Sequence, residues 1–266
     1  MSQISETFKK LREKSEAAFM PFLTLGFPNI KECFDLIKTM SQSGADLIEL
    51  GVPFSDPLAD GPTIQEASQI ALKNGMTVKK AIEIVKQLRS EGVSTPILLM
   101  GYANPFLAYG IENLARDLKA AKVDGLIIPD LPPNDSEEWL KYLSPQEIDL
   151  IFFLSPTTSK ERMQTIIDKA SGFIYGISVT GVTGARERLP DTIKTFIEDI
   201  KERTETPLCI GFGLSKADHI KEVSQIADGA IMASSIINTL AQTSAENRNE
   251  TLSKLIKEMK NATKRT

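Results

Sequence analysis

The chain has 266 residues, is 41% hydrophobic and 25% charged, and carries a formal net charge of -4; this is a globular composition, long enough for a large core and within the length of one α/β barrel. The balance excludes disorder and gives no basic face for nucleic acid, because Lys and Arg are scattered among acids on helix-like segments. The longest apolar runs, such as "AAFMPFLTLGF" and "LIIPDL", are broken by Pro, Gly or Asp, so no segment is expected to span a bilayer.

The N-terminal "MSQISETFKKLREKSEA" places its charges at helical spacing, predicting a helix over about 2 to 14, and lacks the apolar core of a signal peptide, which points to a cytoplasmic chain. Eight short β-rich runs then recur: "FMPFLTL" (19 to 25), "DLIEL" (46 to 50), "PILLMGY" (96 to 102), "GLIIP" (125 to 129), "DLIFFL" (149 to 154), "GFIYGIS" (172 to 178), "PLCIGFG" (207 to 213) and "DGAIMA" (228 to 233). Amphipathic helical patterns separate them, among them "IKECFDLIKTMSQSG", "TVKKAIEIVKQLRSEG", "SKERMQTIIDKASG" and "LPDTIKTFIEDIKERT". Several end near a glycine, as at Gly44, Gly92 and Gly172, the residue that best tolerates a left-handed turn. Further helices are expected at 62 to 74 and 246 to 262.

Strands apolar on both faces and alternating with helices indicate a parallel sheet covered on each side, since a parallel crossover travels over a face of the sheet. Eight such units fit a closed (β/α)8 barrel, the TIM-barrel architecture, better than an open doubly wound sheet. No linker or low-complexity segment divides the chain, so residues 1 to 266 are read as one α/β domain with extra helices at both ends. Cys33 and Cys209 each lie among apolar residues and are read as buried thiols; no spacing of His, Cys or acids marks a metal site.

Barrel geometry directs attention to the C-terminal end of each strand and the loop beyond it, where this architecture builds its chemistry. After the second run comes "IELGVPFSDPLADGP", with Glu49, Asp56 and Asp60. Alternation puts Leu47 and Glu49 on one face and Ile48 and Leu50 on the other. A lumen-facing Glu49 would lose water and have its pKa raised, which suits proton transfer near neutral pH; the competing reading is a buried glutamate satisfied by backbone amides or a lysine. Asp56 and Asp60 lie in a loop stiffened by Pro53, Pro57 and Pro62, where either is equally readable as an Asx turn or helix cap.

The seventh and eighth runs lead into "GFGLSKAD" (211 to 218) and "ASSIINTL" (233 to 240), small residues where strand gives way to helix, leaving amides and a positive dipole end for an anion. The sixth loop, "SVTGVTGARERLP" (178 to 190), is long and rich in Gly and Thr, a candidate lid. The single histidine, His219, falls on the outer face of a helical stretch, so no Ser/His/Asp triad is expected, and no lysine stands inside a β run to form a Schiff base. Carboxylate acid/base catalysis on a phosphorylated substrate remains.

"PFLTLGFP", "IELGVPFSDPLADGPTIQ", "LMGYANPF", "PDLPP", "FIYGISVTGVTGAR" and "GFGLS" occur in the order found in the tryptophan synthase α subunit family, which the chain resembles from about residue 19 to 240. The resemblance implies retro-aldol cleavage of indole-3-glycerol phosphate to indole and D-glyceraldehyde 3-phosphate without a cofactor. It makes Glu49 the acid/base, Asp60 the carboxylate that stabilises the positive indole N-H, and Tyr175 a residue lining the cleavage site. It makes Phe22, Met100, Ile127 and Phe212 the indole walls, with Tyr102 nearby, and Thr183 a lid residue. Phosphate would bind at Gly184, Gly213 and Ser234, with Ser235 also offering a hydroxyl. Where the family usually has Gly-Ser, this chain has Ala233-Ser234; alanine keeps the N-H but resists positive φ, so a weaker or displaced phosphate contact is expected there. Family members pair with a pyridoxal-phosphate β subunit in an αββα complex that makes L-tryptophan, and Asp56, Asn104, Pro105, Asp130 and Pro132 fall in the partner-facing region. Two further readings stay open: a stand-alone lyase releasing free indole, and a weakly catalytic subunit that chiefly activates its partner.

Overall fold

Each of the eight β-rich runs forms a strand: β1 (Ala18–Thr24), β2 (Ile48–Gly51), β3 (Ile97–Met100), β4 (Gly125–Ile127), β5 (Asp149–Leu154), β6 (Ile174–Ile177), β7 (Leu208–Gly211) and β8 (Gly229–Met232). The computed structural model describes residues 2 to 177, 191 to 211 and 213 to 265. Neighbouring strands pair in parallel and in chain order, and β8 returns to β1, closing the barrel. Twelve α-helices are described: α1 (Gln3–Glu13), α2 (Ile30–Gln42), α3 (Pro62–Lys73), α4 (Val78–Ser90), α5 (Ala103–Tyr109), α6 (Ile111–Ala120), α7 (Glu137–Leu143), α8 (Lys160–Lys169), α9 (Asp191–Lys201), α10 (Ala217–Ile226), α11 (Ser234–Gln242) and α12 (Arg248–Asn261). Among the described residues no helix is long and apolar enough to cross a membrane, and no cluster of His, Cys, Asp or Glu could hold a metal.

The strands bury both faces because two cores exist. Outward-facing residues such as Leu23, Ile48, Leu50 and Leu99 pack with Leu36, Leu114 and Ile237 of the helices. Inward-facing Met20, Leu47, Leu98, Ile127, Ile151, Phe173, Tyr175 and Ile231 fill the lumen. This division settles which face of β2 is which: Leu47 points inward, so Glu49, two residues on, does too.

The strand N-terminal end is sealed. Ile4, Phe8 and Leu11 of α1 belong to the lumen cluster, and the Phe8 ring stands 6.0 Å from that of Phe173. Ser2 caps α1 by accepting the Ser5 N-H at 3.3 Å and donates its hydroxyl to Asp149 Oδ2 at 2.6 Å. Around the same end, three aspartates clasp successive strands. Asp46 accepts the Phe19 N-H at 2.8 Å, Asp124 that of Ile97 at 2.8 Å, and Asp228 that of Leu208 at 3.1 Å. Each stands just before an even-numbered strand and holds the start of the strand before it. Asp46 also meets Lys260 at 2.9 Å and Asp124 meets Arg89 at 2.6 Å.

Gly44 and Gly92 follow α2 and α4 with φ of 105° and 89°, the conformation expected of them. Both cysteines are buried and free, and burial pushes the Cys33 thiol up to about 12.

Candidate active site

Glu49 is the second residue of β2, on the lumen face, and is 1% exposed. Neither carboxyl oxygen has a hydrogen-bond partner among the described residues, so the backbone-satisfied or lysine-paired reading fails. Loss of water, then the negative charge of Asp60, raises its pKa from 4.5 to about 8. The Tyr175 hydroxyl opposes part of that rise from β6, close enough to act on the carboxyl yet short of a formed hydrogen bond. Tyr175 is itself pushed well above the usual phenol range, first by burial and then by Glu49, and stays a proton donor.

Two glycines make room for this layer. A Cβ on Gly51 would stand 2.5 Å from Phe22 Cζ, and one on Gly211 would stand 2.7 Å from Tyr175 Cε1, so each ring lies where any other residue's side chain would be. The Phe153 ring packs 4.8 Å from that of Tyr175. Phe153 is a wall the sequence reading leaves out, although its alternation with inward-facing Ile151 in "DLIFFL" carries the signal. Of the expected indole walls, Phe22 and Ile127 are buried, Met100 is half-buried against the lumen cluster, and Tyr102 is 5% exposed. Phe212 lies outside the described residues, as do Thr183 and Gly184.

Asp60 sits in the loop between β2 and α3, half-buried, with its pKa raised from 3.8 to about 6 by burial and held back by the Tyr102 hydroxyl. At pH 7 the two acids therefore differ in form: a group with a pKa of about 8 is roughly nine-tenths protonated, one with a pKa of about 6 roughly nine-tenths ionised. One acid is ready to give a proton and the other to face a positive charge.

The loops after β7 and β8 come together: Ser235 Oγ donates to Leu214 O at 3.4 Å. Gly213 has φ of 63°, and Ser234 and Ser235 open α11, where helix geometry leaves their amides without an intrahelical acceptor. With the Ser235 hydroxyl turned to Leu214, the exposed Ser234 hydroxyl is the freer of the two. The expectation for Ala233 needs correction. Its φ is -119°, not positive, so the left-handed conformation that alanine resists is not required here.

At the barrel mouth, Asp56, Asn104 and Asp130 line one cleft of about 390 Å³ with Phe54, Leu58, Ala59 and Tyr102. Leu58 is 94% exposed. Asp130 Oδ1 accepts the Ala103 N-H at 2.9 Å and so caps α5. The other two residues assigned to this face are elsewhere: Pro105 is half-buried in the first turn of α5, and Pro132 lines a separate cleft of about 250 Å³ with Asn134, Ser159 and Arg162.

The family model described as "Tryptophan synthase alpha chain" matches residues 8 to 264. The chain belongs to the tryptophan synthase alpha chain family. It is 51% identical over 242 residues to the tryptophan synthase alpha chain of Roseiflexus castenholzii, covering 91% of this chain and 93% of the relative. It is 45% identical over 265 residues to that of Chloroflexus aggregans, covering 100% and 99%. Among solved structures, tryptophan synthase of Mycobacterium tuberculosis superposes with a TM-score of 0.92 at 31% identity over 100% of this chain and 99% of that one. Tryptophan synthase subunit alpha of Legionella pneumophila gives 0.90 at 32% identity, covering 98% of each. The lyase class follows from the family, and the (β/α)8 barrel from the family and the closed strand order alike.

Proposed function

We propose that this tryptophan synthase alpha chain cleaves indole-3-glycerol phosphate to indole and D-glyceraldehyde 3-phosphate through Glu49, Asp60 and Tyr175. The observation that carries the reading is Glu49: a carboxyl buried in the lumen with neither oxygen bonded among the described residues. Structural carboxylates at that depth are normally satisfied, and an unsatisfied one beside a phenol and a second acid marks a working group.

The steps follow from the two protonation states. Protonated Glu49 delivers its proton to indole C3, which makes the ring nitrogen positive, and ionised Asp60 faces that N-H. Glu49, now a carboxylate, takes the proton of the hydroxyl on the adjoining side-chain carbon. The C-C bond breaks, its electron pair returns to the ring and cancels the positive nitrogen, and the hydroxyl carbon becomes the aldehyde. Protons and charge balance within the pair of acids, so no cofactor is assigned to this chain. The phosphate is held by the amides of Gly213, Ser234 and Ser235, with the Ser234 hydroxyl beside them. Phe22, Met100, Tyr102, Ile127 and Phe153 enclose the indole ring.

The partner is a tryptophan synthase β subunit, which carries the pyridoxal phosphate and converts indole to L-tryptophan in an αββα complex in the cytoplasm. Support comes from the cleft beside Tyr102, where exposed Leu58 stands among Asp56, Asn104 and Asp130. The deciding experiment is steady-state release of indole from indole-3-glycerol phosphate with and without added β subunit. Turnover that rises with β subunit is the expected result; turnover unaffected by it identifies a stand-alone lyase, and none in either condition refutes the reading.

A further inference from the structure

Asp60 must be aimed from a loop that has little framework of its own. Within the loop the hydrogen bonds among the described residues are local, with Leu58 N-H on Asp56 O at 2.9 Å, Asp60 N-H on Pro57 O at 3.0 Å and the Ser55 hydroxyl on Asp56 Oδ2 at 2.5 Å. From α3, Gln65 Nε2 reaches the Asp60 carbonyl at 2.8 Å, which fixes the peptide and leaves the carboxyl free to rotate. The remaining tie comes from across the mouth: the Ala59 N-H donates to Tyr102 Oη at 2.9 Å. Tyr102 sits just after β3, 5% exposed, with its ring centred 5.5 Å from that of Phe54, so its hydroxyl is fixed by packing on both sides of the loop. A phenol oxygen that accepts one N-H still has its own proton to give, and Asp60, the residue after Ala59, is the carboxylate on which that hydroxyl acts.

We propose that Tyr102 is the positioning residue of Asp60, its hydroxyl accepting from Ala59 and donating to the Asp60 carboxylate so that the carboxylate is held toward the indole nitrogen. This rests on the lyase reading above and assigns Tyr102 a task that a plain apolar wall would not need. The charge environment agrees. Burial raises the Asp60 pKa and the Tyr102 hydroxyl is what lowers it again, while burial and then Asp60 keep the Tyr102 proton in place as a donor. Asp60 in turn raises Glu49 of β2 and Tyr175 of β6, and Asp130 acts on Tyr102 from beyond β4.

The test is Tyr102→Phe, which keeps the ring and removes only the hydroxyl. The expected result is a kcat lower by about tenfold with KM changed less than about twofold, and an acid limb of the kcat profile moved upward from about 6 by roughly half a unit or more. In an Asp60→Asn background the same substitution should have no further effect on kcat, because the group it acts through is gone. An unmoved acid limb, or an equal loss in both backgrounds, overturns the proposal. Carboxyl NMR titration of Asp60 in the full chain and in Tyr102→Phe gives a readout that does not need turnover. There, an unchanged Asp60 pKa overturns the positioning role, whereas an absence of indole release by the unaltered chain overturns the lyase reading instead.

Discussion

The two ends of the barrel treat the same chemical group in opposite ways. At the sealed end, Asp46, Asp124 and Asp228 each accept a strand-start amide and each pair with a cation, Lys260, Arg89 and Lys201 respectively. At the mouth, Glu49 is buried at least as deeply and has no partner among the described residues. Burial raises Asp46 and Asp124 too, but amides and cations oppose it there, whereas Glu49 reaches about 8. What separates a structural acid from a reactive one in this fold is therefore what its oxygens touch, not how deep it lies.

That contrast can be broken by substitution. The largest effect is expected for Glu49→Gln, which keeps shape and removes the exchangeable proton: turnover should fall by roughly a thousandfold with substrate still bound. Steady-state indole release and a binding titration read the two effects apart, and near-normal turnover would refute the assignment. In the unaltered chain kcat/KM should rise as Asp60 ionises near pH 6 and fall as Glu49 ionises near pH 8.

Next in size is Asp124→Ala at the opposite end. It removes the carboxylate paired with Arg89, whose side chain is 9% exposed and, among the described residues, keeps only the carbonyls of Lys122, Val93 and Thr95, and it frees the Ile97 amide, so a loss of about 3 kcal/mol in denaturant unfolding is expected with kcat unchanged. An equal loss of activity in the folded variant would show that the two ends are not independent.

Stability should also respond to pH, in a direction set by Glu49. Its folded pKa, about 8, lies above its ordinary 4.5, so the native chain keeps a proton that the unfolded chain gives up. The associated stability is present in full below about pH 4.5 and is lost as pH rises to about 8. Glu49→Gln escapes this loss and should be more stable than the unaltered chain by on the order of 3 kcal/mol at pH 7, with the difference vanishing near pH 4. Chemical denaturation at both pH values checks it, and a variant less stable at pH 7 would contradict the unpaired carboxyl. The smallest effect is expected for Ala233→Gly: since φ there is negative, the KM for indole-3-glycerol phosphate should change by less than about twofold.

The barrel was legible because its strands are apolar on both faces and its helices strongly amphipathic, a combination few other architectures need. The carboxylates were legible as candidates but not as individuals. Alternation alone could not say which face of "DLIEL" was inward; contact of Leu47 with the lumen cluster decides it. Resemblance supplied the roles of Glu49 and Asp60, and coordinates supplied the reason they differ. The mouth was read less well. Helix α5 was not singled out from the sequence; it begins at Ala103 and takes Asn104 and Pro105 into its first turn, where proline lacks only an N-H that has no intrahelical partner anyway. Backbone angles were hidden as well: the penalty expected of Ala233 came from assuming a glycine-like φ that the chain does not adopt.

Helix α1 does more than complete the core. With Ile4, Phe8 and Leu11 packed into the lumen cluster, α1 closes the far end of the barrel. At that end the lumen is filled by side chains, so the loops at the strand C-terminal ends are where a ligand meets the barrel. A helix outside the eight repeats thereby assigns the two rims their tasks: one is a floor, and the loops of the other are left free to vary without unsealing the core.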